Sequence, residues 1–554
     1  MRGRTVFMDS LVAHGVSHIF GNPGTTESPL LDSLAGYPSI HYVCHLHEGL
    51  AVGAAGYYAR ATGRPAVVSL HVAPGLGNGI GMIYGALKGN APIVVTAGQQ
   101  DTRMLRREPI LSHDLAAMAA PVTKWSTQVG NADEMDEVMR RKGKSACDPP
   151  FGPVFVSLPI DVMEQQTANG AIAPGRSYRT AAADPRGIAE AAALLAAAKS
   201  PAIVVGDEVG RVGAIDALVQ LAERISAPVW LEGIRGHVSF PATHPLARSG
   251  LPFDAAAIRK TLGEADLVLL LGGAFFEEVW FTPGSPFAAG ARVVQIESSP
   301  PPLGYNHVPD VGLVGELGPA IAALDAAVAA LADDAGRQAA AARRERLAQQ
   351  KANDVAAYQA RQQKAWAREP ISMPRVMAEL RAGTPRNAIL VEECITASVD
   401  FAAAFQLGAD DLYLGARGGG IGQGVAGAIG AAVGHPGRPV LCLSGDGSAM
   451  YSIQALWTAA RYELPIVFAI LCNREYRVLK HNLDIYRQRF DAQSDRPYPE
   501  MDLAGPRLGY VEMAAGMGVP GIRVTKPDEL RGAVEQAFAA GGPRLLEIEI
   551  EGKR

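Results

Sequence analysis

The stretch Ser444–Tyr476, SGDGSAMYSIQALWTAARYELPIVFAILCNREY, decides how this chain is read. The apolar run Pro439–Ser444 (PVLCLS) reads as a strand, and Gly445-Asp446-Gly447 breaks it. Glycines on both sides of a carboxylate let the backbone turn sharply and approach a ligand closely. Ser448 is placed as the N-cap of the next helix, whose apolar face is Met450, Ile453, Leu456 and Trp457. A second apolar run, Pro465–Leu471, reads as the following strand and ends at Cys472-Asn473-Arg474-Glu475. Asp446 and Asn473 therefore fall at the C-terminal ends of two strands joined by one helical crossover, where an open parallel sheet places its ligands. With Glu475 they make an oxygen-rich set, and a carboxylate, an amide oxygen and a backbone carbonyl suit Mg²⁺, which fills its remaining positions with water and phosphate oxygens. Helix N-terminal amides beside such a set favour a diphosphate.

Outward from this stretch the same pattern recurs. Strand-like runs at His18–Phe20, Ile40–Cys44, Ala66–Leu70, Ile93–Ala97 and Val154–Leu158 alternate with helical stretches and predict a first α/β domain over 1–165. Met163–Arg186 reads as a linker. Ala202–Gly206, Val229–Leu231, Leu267–Leu271 and Val293–Ile296 predict a middle α/β domain over 188–330, and its Gly206-Asp207 and Gly272-Gly273 lack the GxGxxG pattern of a dinucleotide site. The Ala-, Gln- and Arg-rich segment 331–368 is expected to be a solvated linker helix, and 370–554 a third α/β domain holding the opening motif. The expected fold is α/β, with three doubly wound parallel-sheet domains. A length of 554 residues agrees, because single cores rarely grow past about 250–300 residues.

Composition narrows the partners. Charged residues at 19% and a net charge of −5 point to no nucleic acid and no anionic membrane. The longest apolar run, Leu267–Phe276, is too short to span a bilayer, and the opening MRGRTVFMDSLVAHG lacks the apolar core of a signal peptide. Five scattered cysteines without metal-ligand spacing fit a reducing, cytoplasmic setting.

Asp446-Gly447 followed 27 positions later by Asn473 resembles the metal–diphosphate motif of thiamine diphosphate (ThDP) enzymes. The wording GDGSAMYSIQALWTAARYELP is similar to the benzoylformate decarboxylase-like group, and the likeness runs over essentially the whole chain. It implies a pyrimidine-binding first domain, a diphosphate-binding third domain, ThDP and Mg²⁺ as cofactors, and a homodimer or homotetramer whose subunits share active sites. It also implies a lyase that decarboxylates a small-molecule 2-oxo acid or joins the fragment to an aldehyde. A 2-hydroxyacyl-CoA lyase, an acetolactate synthase-like carboligase and a non-catalytic ThDP-fold scaffold are the alternatives. The chain's end at EIEIEGKR, close behind the last strand, speaks against a tail closing over CoA.

The resemblance assigns roles residue by residue. Glu48, in CHLHEGLAVGAAGYYAR, matches the glutamate that bonds the aminopyrimidine ring and promotes loss of the C2 proton; without the resemblance it reads as a helix-start acid favoured by the macrodipole. His71, in SLHVAPGLGNGIG, matches a proton-relaying histidine. Thr25 stands where the group has a serine that meets the substrate carboxylate. Gly419 matches the carbonyl acceptor for the aminopyrimidine amine, and Ile421 the bulky residue beneath the cofactor. Thr396, Ser398, Gly447, Ser448 and Tyr476 complete the cofactor cradle, with Ile395 replacing a family threonine beside it. Asp446, Asn473 and Glu475 form the metal set.

Three departures stand out. Val279 falls where a second active-site histidine is expected, with Glu277, Glu278 and Trp280 around it. Lys480-His481-Asn482 replace an aromatic-rich turn, which predicts a more polar pocket mouth than a phenyl group favours. His113, in ILSHDLAAM, either compensates for the missing histidine or is a surface-loop residue.

Overall fold

In a computed structural model, apolar runs and amphipathic helices assemble into three six-stranded sheets, and every strand pair whose register is given is parallel. The structure describes residues 1–175, 181–494 and 496–552. The first sheet contains β1 His18–Gly21, β2 His41–Cys44, β3 Ala66–Leu70, β4 Ile93–Gln99, β5 Ser126–Gln128 and β6 Val154–Pro159, in the order β2-β1-β3-β4-β6-β5. The second contains β7 Pro201–Val205, β8 Val229–Leu231, β9 Ala247–Gly250, β10 Leu267–Leu271, β11 Arg292–Glu297 and β12 Val311–Val314, in the order β12-β11-β10-β7-β8-β9. The third contains β13 Ile389–Glu393, β14 Tyr413–Gly415, β15 Val440–Gly445, β16 Ile466–Cys472, β17 Gly521–Val524 and β18 Arg544–Glu549, in the order β14-β13-β15-β16-β18-β17. Counted from its own first strand, the third sheet repeats the order of the first. The second has the doubly wound order whose switch point lies between β7 and β10.

The chain divides into two compact units. The first (1–176, 365–401 and 414–554) holds the first and third sheets, and the second (177–364 and 402–413) holds the middle sheet. Inside the first unit the Glu48–Thr62 helix packs on the Gln423–Gly434 helix. A Cβ on Gly430 would lie 1.8 Å from the Ala54 carbonyl oxygen, so only glycine permits this approach. The 31-residue helix Asp334–Lys364 belongs to the second unit and is anchored there by Arg343, which donates to the Ser226 carbonyl at 2.9 Å. Part of the expected linker over 163–186 lies outside the described residues, namely 176–180. Its flanks are ordered as the short helix Ile160–Glu164 and a helix starting at Pro185 under an Asp184 cap. No helix among the described residues is long and apolar enough to cross a membrane.

One helix contradicts its own periodicity. On Met135–Cys147 the buried face is Met135, Asp136, Met139, Lys142 and Ala146, so a lysine occupies a core position. Lys142 has no solvent exposure, and its Nζ, which has no hydrogen-bond partner among the described residues, lies 3.1 Å from the centroid of the Trp125 ring. Burial, with Arg141 adding to it, lowers its pKa to about 6 from the ordinary 10.5. Between those values the unfolded chain binds a proton that the folded chain refuses, so stability rises with pH across that interval. At about 1.4 kcal/mol per pH unit the burden at neutral pH is several kcal/mol. Lys142→Met, similar in length and apolar, is therefore expected to raise the melting temperature by several degrees at pH 7. The gain should shrink as pH approaches 10. A variant that melts lower than the native chain at pH 7 would show that the ammonium is well accommodated.

Candidate active site

The turn after β15 is tighter than expected. Gly445 is the N-cap, and Asp446 opens a short helix, Asp446–Ala449, that already contains Ser448; the next helix begins at Ala455. Ser448 is therefore inside a helix and is not its cap. Asp446 is buried, and its carboxylate accepts main-chain amides from Gly447 at 2.9 Å and Arg474 at 2.7 Å. The second bond ties the ends of β15 and β16 together. Burial pushes the Asp446 carboxyl up to about 6, against the pull of these amides. A cation placed there would offset the same push. Asn473 directly follows β16 and accepts the Glu475 amide on its side-chain oxygen at 3.0 Å. A Cβ on Gly447 would come within 2.5 Å of the Tyr476 ring, so Gly447 leaves room for that ring over the turn. Tyr510, buried and 64 residues further along, donates its hydroxyl to the Asp446 carbonyl at 2.7 Å.

Glu475 is committed elsewhere. Its carboxylate meets Lys480 at 2.5 Å and Arg477 at 3.1 Å, and these partners hold its pKa below the ordinary carboxylate value against its burial. It could therefore meet a cation only through its main-chain carbonyl. The same contact corrects the expectation for Lys480, which is buried against Glu475 and presents no free charge at a pocket mouth. His481 and the nearby Leu479 are both exposed.

On the first sheet, Glu48 is the first residue of its helix, with His47 capping through Nδ1 to the Gly49 amide at 3.1 Å. Glu48 is buried, and Asn78 donates to its carboxylate at 3.0 Å. His71 directly follows β3 and is the N-cap residue of the Val72–Lys88 helix. Its Nδ1 lies 2.9 Å from Glu27, which is buried and also accepts from Thr26 at 2.9 Å and from the Gly98 amide at 2.9 Å. Burial raises the Glu27 carboxyl, and the His71 and Thr26 bonds oppose it. An acceptor at Nδ1 fixes the ring's orientation and leaves Nε2 for another partner. Thr25 is exposed at the start of a short turn of helix, where its carbonyl accepts from Ser28 at 2.7 Å. His113 is exposed, with its carbonyl held by the Gln99 side chain at 2.9 Å. The loop before it returns to His71, for the Leu111 carbonyl accepts the Ala73 amide at 3.4 Å.

Near β13, Ser398 donates to Glu392 at 2.9 Å, while Thr396 is exposed behind Ile395, whose φ of 27° is one a β-branched residue rarely adopts. Gly419 has φ 74°, and a Cβ there would meet nothing within 4 Å, whereas Ile421 is half-buried. Two donor groups thus emerge. Asp446, Asn473, Ser448 and Tyr476 cluster around the ends of β15 and β16, and Glu48, Asn78, His71 and Glu27 around the ends of β2 and β3. Among the described residues no hydrogen bond joins Glu48 to Asp446 or Asn473.

The oxygen set at β15 and β16, the helix start behind it and the open space at Gly419 fit a metal-bound diphosphate with a ring beyond it. Asn78, Glu27 and Tyr510 escape a sequence reading. Asn78 and Glu27 stand in the same motifs as His71 and Thr25, so proximity was their one signal.

The second unit is arranged differently. At its switch point Asp207 accepts the Gly236 amide at 2.8 Å, and Glu232 accepts the Phe275 amide at 3.1 Å. Glu208 meets Ser298 at 2.5 Å, and Glu297 meets Gln295 at 2.9 Å. Glu297 is pushed up to about 8 by burial, with Glu208 and Glu232 adding to it. Val279, bonded through its amide to the Phe253 carbonyl at 3.0 Å, is 57% exposed.

The fold and the turn at Asp446 define a cofactor-binding α/β protein of the diphosphate class. Family models for the thiamine pyrophosphate enzymes match in three parts: the N-terminal TPP binding domain over 1–119, the central domain over 188–324 and the C-terminal TPP binding domain over 398–548. The chain is 32% identical to a benzoylformate decarboxylase of Pseudomonas aeruginosa, over 97% of each chain. It is 26% identical to the acetolactate synthase isozyme 2 large subunit of Escherichia coli, over 100% of this chain and 96% of that one. The structure of a thiamine diphosphate-dependent 4-hydroxybenzoylformate decarboxylase from Rhodococcus jostii is similar with a TM-score of 0.85 and 29% identity, covering 100% of both chains. The chain belongs to the thiamine pyrophosphate enzyme family.

Proposed function

We propose that this protein is a ThDP- and Mg²⁺-dependent lyase that decarboxylates a 2-oxo acid with an apolar side chain, working as a dimer or tetramer with shared sites. The observation that carries this reading is the pairing of Asp446 and Asn473 at adjacent strand ends, with the Gly419–Ile421 turn available for the cofactor's ring. Bound ThDP would supply the centre that stabilises a carbanion next to a carbonyl. Asp446, Asn473 and the Glu475 carbonyl would hold the metal, with Gly447, Ser448, Thr396 and Ser398 near the diphosphate. Glu48, kept in place by Asn78, would exchange a hydrogen bond with the aminopyrimidine. Thr25 would meet the substrate carboxylate, and His71, oriented by Glu27, would move a proton at the product carbon through Nε2. The withdrawal of Lys480 into its pair with Glu475, beside exposed Leu479, favours an apolar substrate group over the polar one expected from the sequence. The benzoylformate and 4-hydroxybenzoylformate decarboxylase relatives point the same way.

Carboligation is the second reading. Val279 in place of a second histidine removes one proton donor, and slower protonation leaves more time for an acceptor aldehyde. Against a flavin-bearing synthase, the carboxylates of Asp207 and Glu232 already take the switch-point amides that a nucleotide diphosphate would need. The test is a panel of 2-oxo acids with and without acceptor aldehyde, scored by product analysis. Aryl or branched apolar acids should turn over well ahead of pyruvate. Pyruvate as the preferred substrate, with an acetohydroxy acid as the product, would overturn the reading.

A further inference from the structure

We propose that Gln423 is a positioning residue for the cofactor: its carboxamide ties the two ends of the Gly418–Gly420 turn and holds Gly419 and Ile421 in register for the aminopyrimidine ring. The proposal rests on the ThDP reading above.

The turn has little stiffness of its own. Gly418, Gly419 and Gly422 have φ of 77°, 74° and 93°, so three left-handed glycines fall within five residues. At Gly419 itself a Cβ would meet nothing within 4 Å, although one on Gly418 would lie 2.9 Å from the Lys88 side chain. Side chains supply the restraint. The Gln423 Nε2 donates to the Arg417 carbonyl at 2.7 Å and to the Gly420 carbonyl at 2.7 Å, while its Oε1 lies 3.4 Å from the Arg417 amide. Both N–H groups of the carboxamide are thereby used, one on each side of Gly418-Gly419. From the other side, the buried Glu393 carboxylate accepts the amides of Gly422 at 2.8 Å, Gln423 at 3.1 Å and Gly424 at 2.8 Å. The Val72–Lys88 helix makes room for the clamp, because a Cβ on Gly85 would lie 3.2 Å from the Gln423 carboxamide.

The chemistry requires a donor with two hydrogens at this site. Leucine has none, and glutamate would turn a negative charge towards two carbonyl oxygens. In either case the carbonyls of Arg417 and Gly420 lose their shared donor, and the turn is no longer tied across Gly418-Gly419. A displaced turn would move the Gly419 carbonyl and Ile421 away from the positions that select the ring's tautomer, while the helix behind them stays capped by Glu393.

The test compares Gln423→Leu and the isosteric Gln423→Glu with the native protein on four measurements: thermal midpoint, amide hydrogen exchange of 417–422 in the apoprotein, ThDP affinity by calorimetry with Mg²⁺, and C2 hydrogen exchange at saturating ThDP. A midpoint lowered by a few degrees is expected, with faster amide exchange confined to the turn. ThDP affinity should weaken about tenfold, the loss of one or two good hydrogen bonds, and C2 exchange should slow at saturation. Native amide exchange across 417–422 in both variants would overturn the proposal. So would weaker binding with C2 exchange at the native rate, since Gln423 would then be structural only. If Gln423→Leu fails to fold, Gln423→Glu is read on the same measurements. A native protein that binds no ThDP would instead overturn the cofactor reading, and the apoprotein exchange would still judge the clamp.

Discussion

Glu48→Gln is expected to keep ThDP bound and to slow hydrogen–deuterium exchange at the cofactor's C2 by about 10²–10⁴-fold, the usual worth of a positioned general acid or base. The substitution preserves shape. A glutamine carbonyl can still accept from Asn78, which donates to Glu48 at 3.0 Å, and the His47 cap at Gly49 is untouched. What changes is the charge state of one buried group. A carboxylate can bond a protonated ring nitrogen strongly, whereas a carboxamide offers a neutral and weaker acceptor. The measurement is exchange quenched in acid and read by proton NMR, with affinity measured separately. An unchanged exchange rate would reduce Glu48 to an acid placed at a helix start for the macrodipole.

Asp446→Ala should raise the dissociation constant for ThDP in the presence of Mg²⁺ by at least about 10²-fold, because a first ligand is worth more than the 10–100-fold typical of its supporting partners. Asp446 also accepts the amides of Gly447 and Arg474, so the alanine variant loosens the turn as well as removing a ligand. Asp446→Asn separates the two effects. It keeps an acceptor oxygen for the amides, loses the charge that a hard cation needs, and should bind ThDP nearly as poorly as the alanine variant. Native affinity in Asp446→Asn would sink the metal role. The Glu48 and Asp446 variants together also test shared sites. Each is expected to be inactive alone, and a mixture that exchanges subunits should regain activity, because one site of the heterodimer then carries both native residues. No recovery in confirmed heterodimers would place Glu48 and Asp446 of one chain in the same site.

Much of the fold was legible because it is written in local periodicity. Buried parallel strands such as Leu267–Leu271 and Ile466–Cys472 are continuous apolar runs, and the helices between them carry clear apolar faces. Among the strands the sequence reading did not place are short ones at sheet edges, Ser126–Gln128 and Tyr413–Gly415, whose brief segments leave little pattern. The turn at Asp446 was legible too, since Gly-Asp-Gly and Asn473 follow from strand, helix and spacing within one crossover.

The sequence by itself thus determined the class of sheet, the turn that fits a metal and a diphosphate, and the family whose wording it shares. Only the tertiary structure decided which polar groups are free to act. Lys480 looked like a charge at a pocket mouth until it was found buried against Glu475, five residues away on the same segment. Glu27 becomes the partner of His71 because β1, β3 and β4 bring residues 27, 71 and 98 to neighbouring strand ends. Tyr510 reaches Asp446 across 64 residues, and Lys142 finds Trp125 inside a core that its helix periodicity alone marks as apolar. The physical reason is the same in each case. Secondary structure follows from short-range sterics and from the period of burial, whereas the charge state and reach of a side chain depend on the solvent removed and the partners supplied by the packing around it.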